Sequence, residues 1–131
     1  MAKGIDTAAH MGALDVSGKT IAVLGCGFKH IYPEENIPLF HEIIKNGGAA
    51  ISEYPAEAGV QSKFFLERNR IVSGLSLGTL VIEAAYRSGT SVTASIARKQ
   101  NKKVFCIPHE VSNYHGVRDK QIIKKWSYTC N

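Results

Sequence analysis

Apolar and polar positions alternate along this chain in short blocks. "KTIAVLG" (19–25) is a β-branched apolar run that ends in glycine, the pattern of a buried strand. "PEENIPLFHEIIKNGG" (33–48) places Ile37, Phe40, Ile43 and Ile44 at helical spacing. Pro33 and the acids open it, Lys45 closes it, and Gly47 and Gly48 stop it. "AAISEYP" (49–55) predicts a second strand, stopped by Pro55, and residues 56–63 a loop. A helix is predicted over 64–76, a third strand over 78–85, a helix over 88–102 and a fourth strand over 103–108.

Strands that are apolar on both faces and separated by helices imply a parallel sheet covered on both sides. Ligands of such sheets sit at the carboxyl ends of the strands. The ends of the chain fit less well. Residues 1–18 read as helix with no strand before them, whereas a doubly wound domain starts with a strand. The tail "GVRDKQIIKKWSYTCN" has no strand signal.

With 131 residues, 44% of them hydrophobic and 21% charged, the expectation is one globular domain. No apolar run approaches the ~20 residues that span a bilayer, and no leader pattern opens the chain, so a cytoplasmic location is expected. Cys26, Cys106 and Cys130 are odd in number and widely spaced, which argues against a disulfide framework. The five histidines lack zinc-ligand spacing, so neither a metal nor another cofactor is expected. The net charge of +5 is local: residues 98–125 hold eight cations against Glu110 and Asp119, while the remainder holds eight against nine. Such a tract suits an anionic partner or a solvated face.

Four stretches could carry chemistry. In "LGCGFKHIYP" (24–33), Gly25 and Gly27 follow a strand, but His30 stands where a dinucleotide fingerprint needs a third glycine. A turn that lets backbone or ligand approach closely is the better reading. In "YRSGTSVTAS" (86–95), Ser88, Gly89, Thr90 and Ser91 join a strand to a helix start, a phosphate seat or a plain cap. "FFLERNRIVSGLS" (64–76) carries Arg68, Asn69 and Arg70, and two residues on a helix splay the arginines by about 200°. They suit phosphate, or they are solvated or paired to Glu67 or Glu83. In "AKGID", Lys3 and Gly4 precede a helix. No nucleophile–base set stands out. Glu53 and Glu83 could form the carboxylate pair that glycosidase-like acid/base work needs, and a nucleotide-processing enzyme would recruit Glu83 with the 88–91 loop as its phosphate site.

In order, "MAKGIDTAAHMGAL", "TIAVLGCGFKHIYPEEN", "GGAAISEYP", "FFLERNRIVSGLS", "VIEAAYRSGTSVTASIA" and "VFCIPH" resemble the DprA/Smf family of DNA-processing proteins over residues 1 to about 117. The resemblance implies a Rossmann-like, doubly wound, mostly parallel sheet with helices on both faces. It implies single-stranded DNA binding without catalysis during natural transformation: protection of incoming strands and help in loading RecA recombinase. Homodimers are common in the family. Lys3 and Gly4 fall on the family's "A-[RK]-G-I-D" motif. Arg68, Asn69 and Arg70 fall on "R-N-R", and Ser88, Gly89 and Thr90 on "R-S-G-S", with threonine for the last serine.

Two departures are visible. The family has a further strand–helix unit before "A-[RK]-G-I-D", so residues 1–117 read as a partial domain, its sheet edges exposed by the missing strand. Residues 118–131 replace the family's usual ending. Their last seven, "KWSYTCN", can be encoded by AAATGGAGCTATACTTGTAAC, which shifted by one base gives "NGAILV", close to that ending. A frameshifted tail is the expectation, with the alternative that the chain is a gene remnant. It would make Lys120, Lys124 and Lys125 products of a misread frame and leave Arg98, Lys99, Lys102 and Lys103 as the basic tract.

Overall fold

The computed structural model describes residues 1–82 and 89–107. The order of elements is α1 (Ile5–Asp15), β1 (Ile21–Val23), a 3₁₀ turn (Glu34–Asn36), α2 (Ile37–Lys45), β2 (Ala49–Ile51), α3 (Ser62–Leu75), β3 (Gly78–Val81), α4 (Gly89–Lys99) and β4 (Lys103–Cys106). Each predicted strand and helix exists, and the strands are shorter than their apolar runs. The predicted strand over 78–85 is observed to Val81, and its last three residues lie outside the described set. The tail from residue 118, for which a frameshift is expected, also lies outside it.

The chain divides into two compact units, Met1–Arg68 and Asn69–Asn131. In the first, β1 and β2 run parallel, with Ile21 opposite Ala49 and Val23 opposite Ile51. A parallel pair needs a long crossover, and α2 supplies it. Its apolar stripe buries Ile43, which packs with Ala22, Leu24, Cys26 and the Met1 side chain. Leu14 of α1 and Leu39, Phe40 and Ala50 close this core. Gly48 ends the α2 crossover where only hydrogen fits, because a Cβ there would lie 2.4 Å from the Thr20 carbonyl oxygen.

In the second unit β3 and β4 are also parallel, from Gly78 opposite Lys103 to Val81 opposite Cys106. α4 covers one face, where Ala94 and Ala97 meet Val81 and Val104. The small residues of α4 let it approach the strands closely. Strand alternation turns Leu80 and Phe105, which are register partners, away from that face, and both remain exposed. The arrangement of helices and parallel strands is the Rossmann-like α/β class that the sequence implies.

Candidate nucleic-acid interface

The first unit gathers three motifs that are far apart in sequence. α1 starts directly after Lys3 and Gly4. Gly4 has φ 83°, a left-handed conformation that favours glycine, and this turn swings the chain into the helix. The Lys3 ammonium is exposed and pairs with Glu35 Oε1 at 2.5 Å. The hydrogen bond to Glu35 raises its pKa and holds the Glu35 carboxyl below the usual range. Asn36, which is buried, donates from Nδ2 to the Met1 carbonyl and to Thr7 Oγ1, both at 2.8 Å. The start of α1 is therefore fastened to the 3₁₀ turn of the "PEEN" stretch.

The loop after β1 is held by close packing. A Cβ on Gly25 would lie 2.7 Å from the Phe65 ring, and one on Gly27 would lie 2.2 Å from the Pro55 carbonyl oxygen. The Gly27 amide donates to Ala58 and the Lys29 amide to Ala56, at 2.8 and 3.0 Å. Backbone and an aromatic ring thus occupy the space these glycines open. The loop carries exposed Phe28 and exposed Tyr32, whose ring tilts against Phe65 at 5.7 Å. Tyr54 and Phe64 stack on each other at 3.9 Å, and the Tyr54 hydroxyl reaches Glu67 at 3.0 Å.

Helical periodicity sends the two arginines of α3 to different environments. Arg68 is only 8% exposed, and its guanidinium donates to the Val23 carbonyl at the end of β1. Burial lowers its pKa, and nearby Asp6 opposes that shift. Arg68 therefore sits beneath the β1 loop and the start of α1, where it satisfies a strand-end acceptor. Arg70 is exposed, and Asn69 is half-buried.

His10 lies in the same unit. Its Nδ1 is 2.7 Å from Thr20 Oγ1, and its pKa falls to about 4, chiefly because burial disfavours the charged ring. A groove of about 490 Å³ involves α1 and α2 and is lined by Asp15, Glu35 and Glu42 among others, so its charge is wrong for phosphate.

In the second unit α4 begins at Gly89. Gly89 and Thr90 stand in its first turn, at the positive end of the helix dipole. Gly89 is exposed, and a Cβ there would meet nothing within 4 Å. Ser88 and Glu83 lie outside the described residues, and the carboxylate pair that includes Glu83 lies outside them too. Arg70 belongs to this unit: its carbonyl accepts from Gln100 Nε2 at 2.9 Å. Among the described residues no group of acidic, histidine or cysteine side chains could hold a metal ion, and no helix is long and apolar enough to cross a membrane.

Sequence reasoning named Lys3 and missed the residues that hold it. Glu35 reads in the sequence as one of the acids that open a helix, and only the packing of α1 against the 3₁₀ turn reveals its part and that of Asn36. Lys29, exposed and paired to Glu57 Oε1 at 2.8 Å, was also passed over. Its position beside two glycines and a phenylalanine is the one local signal that could have flagged it.

Comparison with known proteins gives the context. The chain is 46% identical over 113 residues to protein Smf of Escherichia coli, covering 86% of this chain and 30% of that protein. It is 46% identical over 112 residues to the DNA processing protein DprA of Streptococcus pneumoniae, covering 85% of this chain and 39% of that one. The crystal structure of Streptococcus pneumoniae DprA superposes with a TM-score of 0.85 at 38% identity, over 96% of this chain and 44% of that chain. DNA processing protein A of Helicobacter pylori, described for its single-stranded DNA binding mode, gives 0.84 at 31% identity, over 97% and 57%. The chain thus spans well under half the length of these curated relatives. The profile of the DNA recombination-mediator protein A family matches residues 1–129, past the point where the tail departs from the expected ending. With nearly the whole chain matched and the fold shared, this chain belongs to the DNA recombination-mediator protein A family, the family of the DprA and Smf proteins.

Proposed function

We propose that the chain binds single-stranded DNA through its phosphates and works by holding the strand, without catalysis, in DNA uptake and recombination. Lys3 and Gly4 in the first unit, and Asn69, Arg70, Ser88 and the helix start at Gly89, Thr90 and Ser91 in the second, are the contacts we assign. Gly25, Gly27 and Arg68 shape the loop that follows β1. What supports the reading is the ordered match of all these motifs to a family with a member described for single-stranded DNA binding. Exposed Lys3 and Arg70 and the open start of α4 are the right chemistry for phosphate. In this reading the strand is protected and handed to RecA recombinase in the cytoplasm, and the longer family members act as homodimers. Residues 1–117 form the DNA-binding part, and residues 118–131 are a divergent tail.

A titration of labelled single- and double-stranded oligonucleotides at two salt concentrations tests this. The expected result is preference for single strands, steep weakening with salt, and loss of binding in Lys3→Ala/Arg70→Ala. Equal affinity for duplex, or binding indifferent to both substitutions, would overturn it.

A further inference from the structure

Charge is divided unevenly between the two units. Met1–Arg68 holds six Lys and Arg against eight Asp and Glu. In the second unit the described residues 69–82 and 89–107 hold Arg70, Arg98, Lys99, Lys102 and Lys103 and no Asp or Glu. Four of these five cations fall within six residues.

Local structure concentrates them further. α4 ends in a tight turn, with Asn101 in the left-handed region at φ 57°. The Asn101 amide donates to the Arg98 carbonyl and the Lys102 amide to the Ala97 carbonyl, both at 2.9 Å. The chain then enters β4 at Lys103, so the last turn of α4 and the first residue of β4 share one end of the unit. Arg98, Lys99 and Lys103 are exposed, and Lys102 is half-buried.

Gln100 fixes this turn to α3. Its Nε2 donates to the Arg70 carbonyl at 2.9 Å, and its Oε1 accepts from buried Ser73 at 2.6 Å. The backbone of Arg70 therefore lies against the basic turn, which α3 holds in place. The start of α4 at Gly89 is at the other end of an eleven-residue helix, roughly 15 Å away.

We propose that Arg98, Lys99, Lys102 and Lys103 form a second phosphate-binding edge, which takes a nucleic-acid backbone onward from the helix start at Gly89. This rests on the single-stranded DNA reading above and extends it: a short strand takes the contacts already assigned, and a longer one also crosses the corner.

The test compares the 131-residue chain with Arg98→Gln/Lys99→Gln/Lys102→Gln/Lys103→Gln. The probes are labelled oligothymidylates of about 6 and about 30 nucleotides, lengths set against a site of ~4–16 nucleotides per module. Circular dichroism checks folding, and Lys99→Gln/Lys103→Gln serves if the fourfold variant unfolds. Single strands lose roughly 0.7 in log–log salt slope per phosphate contact, so the fourfold variant should lose up to about 3 for the long probe. Its affinity for the long probe should fall tenfold or more, with the short probe unchanged. The twofold variant should lose about half that slope. Unchanged long-probe binding in a variant, with the parent chain binding both probes, overturns the corner alone. Failure of the parent chain to bind either probe overturns the DNA reading and the corner with it. Displacement of the long probe by polyglutamate at lower concentration than by unlabelled oligothymidylate would assign the corner to an acidic protein segment and overturn the nucleic-acid proposal.

Discussion

Arg68 and Arg70 are separated by one residue, yet their replacement by alanine should have opposite signatures. Arg68 is 8% exposed and donates to the Val23 carbonyl. Arg68→Ala removes a charged donor and leaves a buried acceptor, which costs about 1.5–3 kcal/mol. It also removes about two buried methylenes, roughly 1.5 kcal/mol more. Relief of the buried charge offsets part of this, consistent with the lowered pKa of Arg68. The net loss should be about 2–4 kcal/mol, which for a chain of this size lowers Tm by about 10 °C. Arg68→Lys keeps a charge and most of the stem but loses the planar fork, so it should fall between the two. Arg70 is exposed, and Arg70→Ala should move stability by less than about 0.5 kcal/mol while weakening oligonucleotide binding. Thermal unfolding by circular dichroism, paired with fluorescence anisotropy, reads both. An Arg68→Ala chain that unfolds within about 1 °C of the parent but no longer binds DNA would refute the reasoning. It would mean that Arg68 acts as a surface contact and is not a buried support of the β1 loop.

The remaining predictions concern the first unit. The folded pKa of His10 is lowered to about 4, so the unfolded chain takes up the proton first as pH falls. Stability is complete above about pH 6.5, declines between there and about pH 4, and is then flat. The ring is only partly buried, so the loss should be about 1–2 kcal/mol, and His10→Asn should flatten that part of the curve in urea titrations. Gly27→Ala drives a methyl group against the Pro55 and Ala56 carbonyl oxygens, at 2.2 and 2.4 Å, and should cost about 3 kcal/mol or more in denaturant melts. Glu35→Gln breaks an exposed ion pair with Lys3 and should leave Tm nearly unchanged. If Lys3 contacts phosphate, the same substitution should tighten oligonucleotide binding severalfold at low salt; weaker binding would count against that role.

Much of this protein was legible in the order of its residues. Short apolar runs with Gly or Pro at one end marked the four strands, and the spacing of Ile37, Phe40, Ile43 and Ile44 marked the helix between the first two. Both signals are local, because side chains alternate along a strand and repeat every 3.6 residues on a helix. The family was legible too, since short motifs in a fixed order are a property of the sequence itself. Roles within the motifs were not. That Arg68 turns inward and Arg70 outward follows from helical phase only once the position of β1 is known. That Gly25 and Gly27 make room for Phe65 and the 55–56 backbone depends on residues about 30–40 places away. The basic corner shows the same division. Its four cations are plain in the sequence as a tract, where a solvated face was an equal reading. Gln100 joins them to Arg70 through two hydrogen bonds to α3, a contact across 30 residues that no local pattern encodes. Sequence set which elements form and which charges are present; tertiary packing decided which of those charges face water, because only packing places one element's carbonyls and side chains against another's.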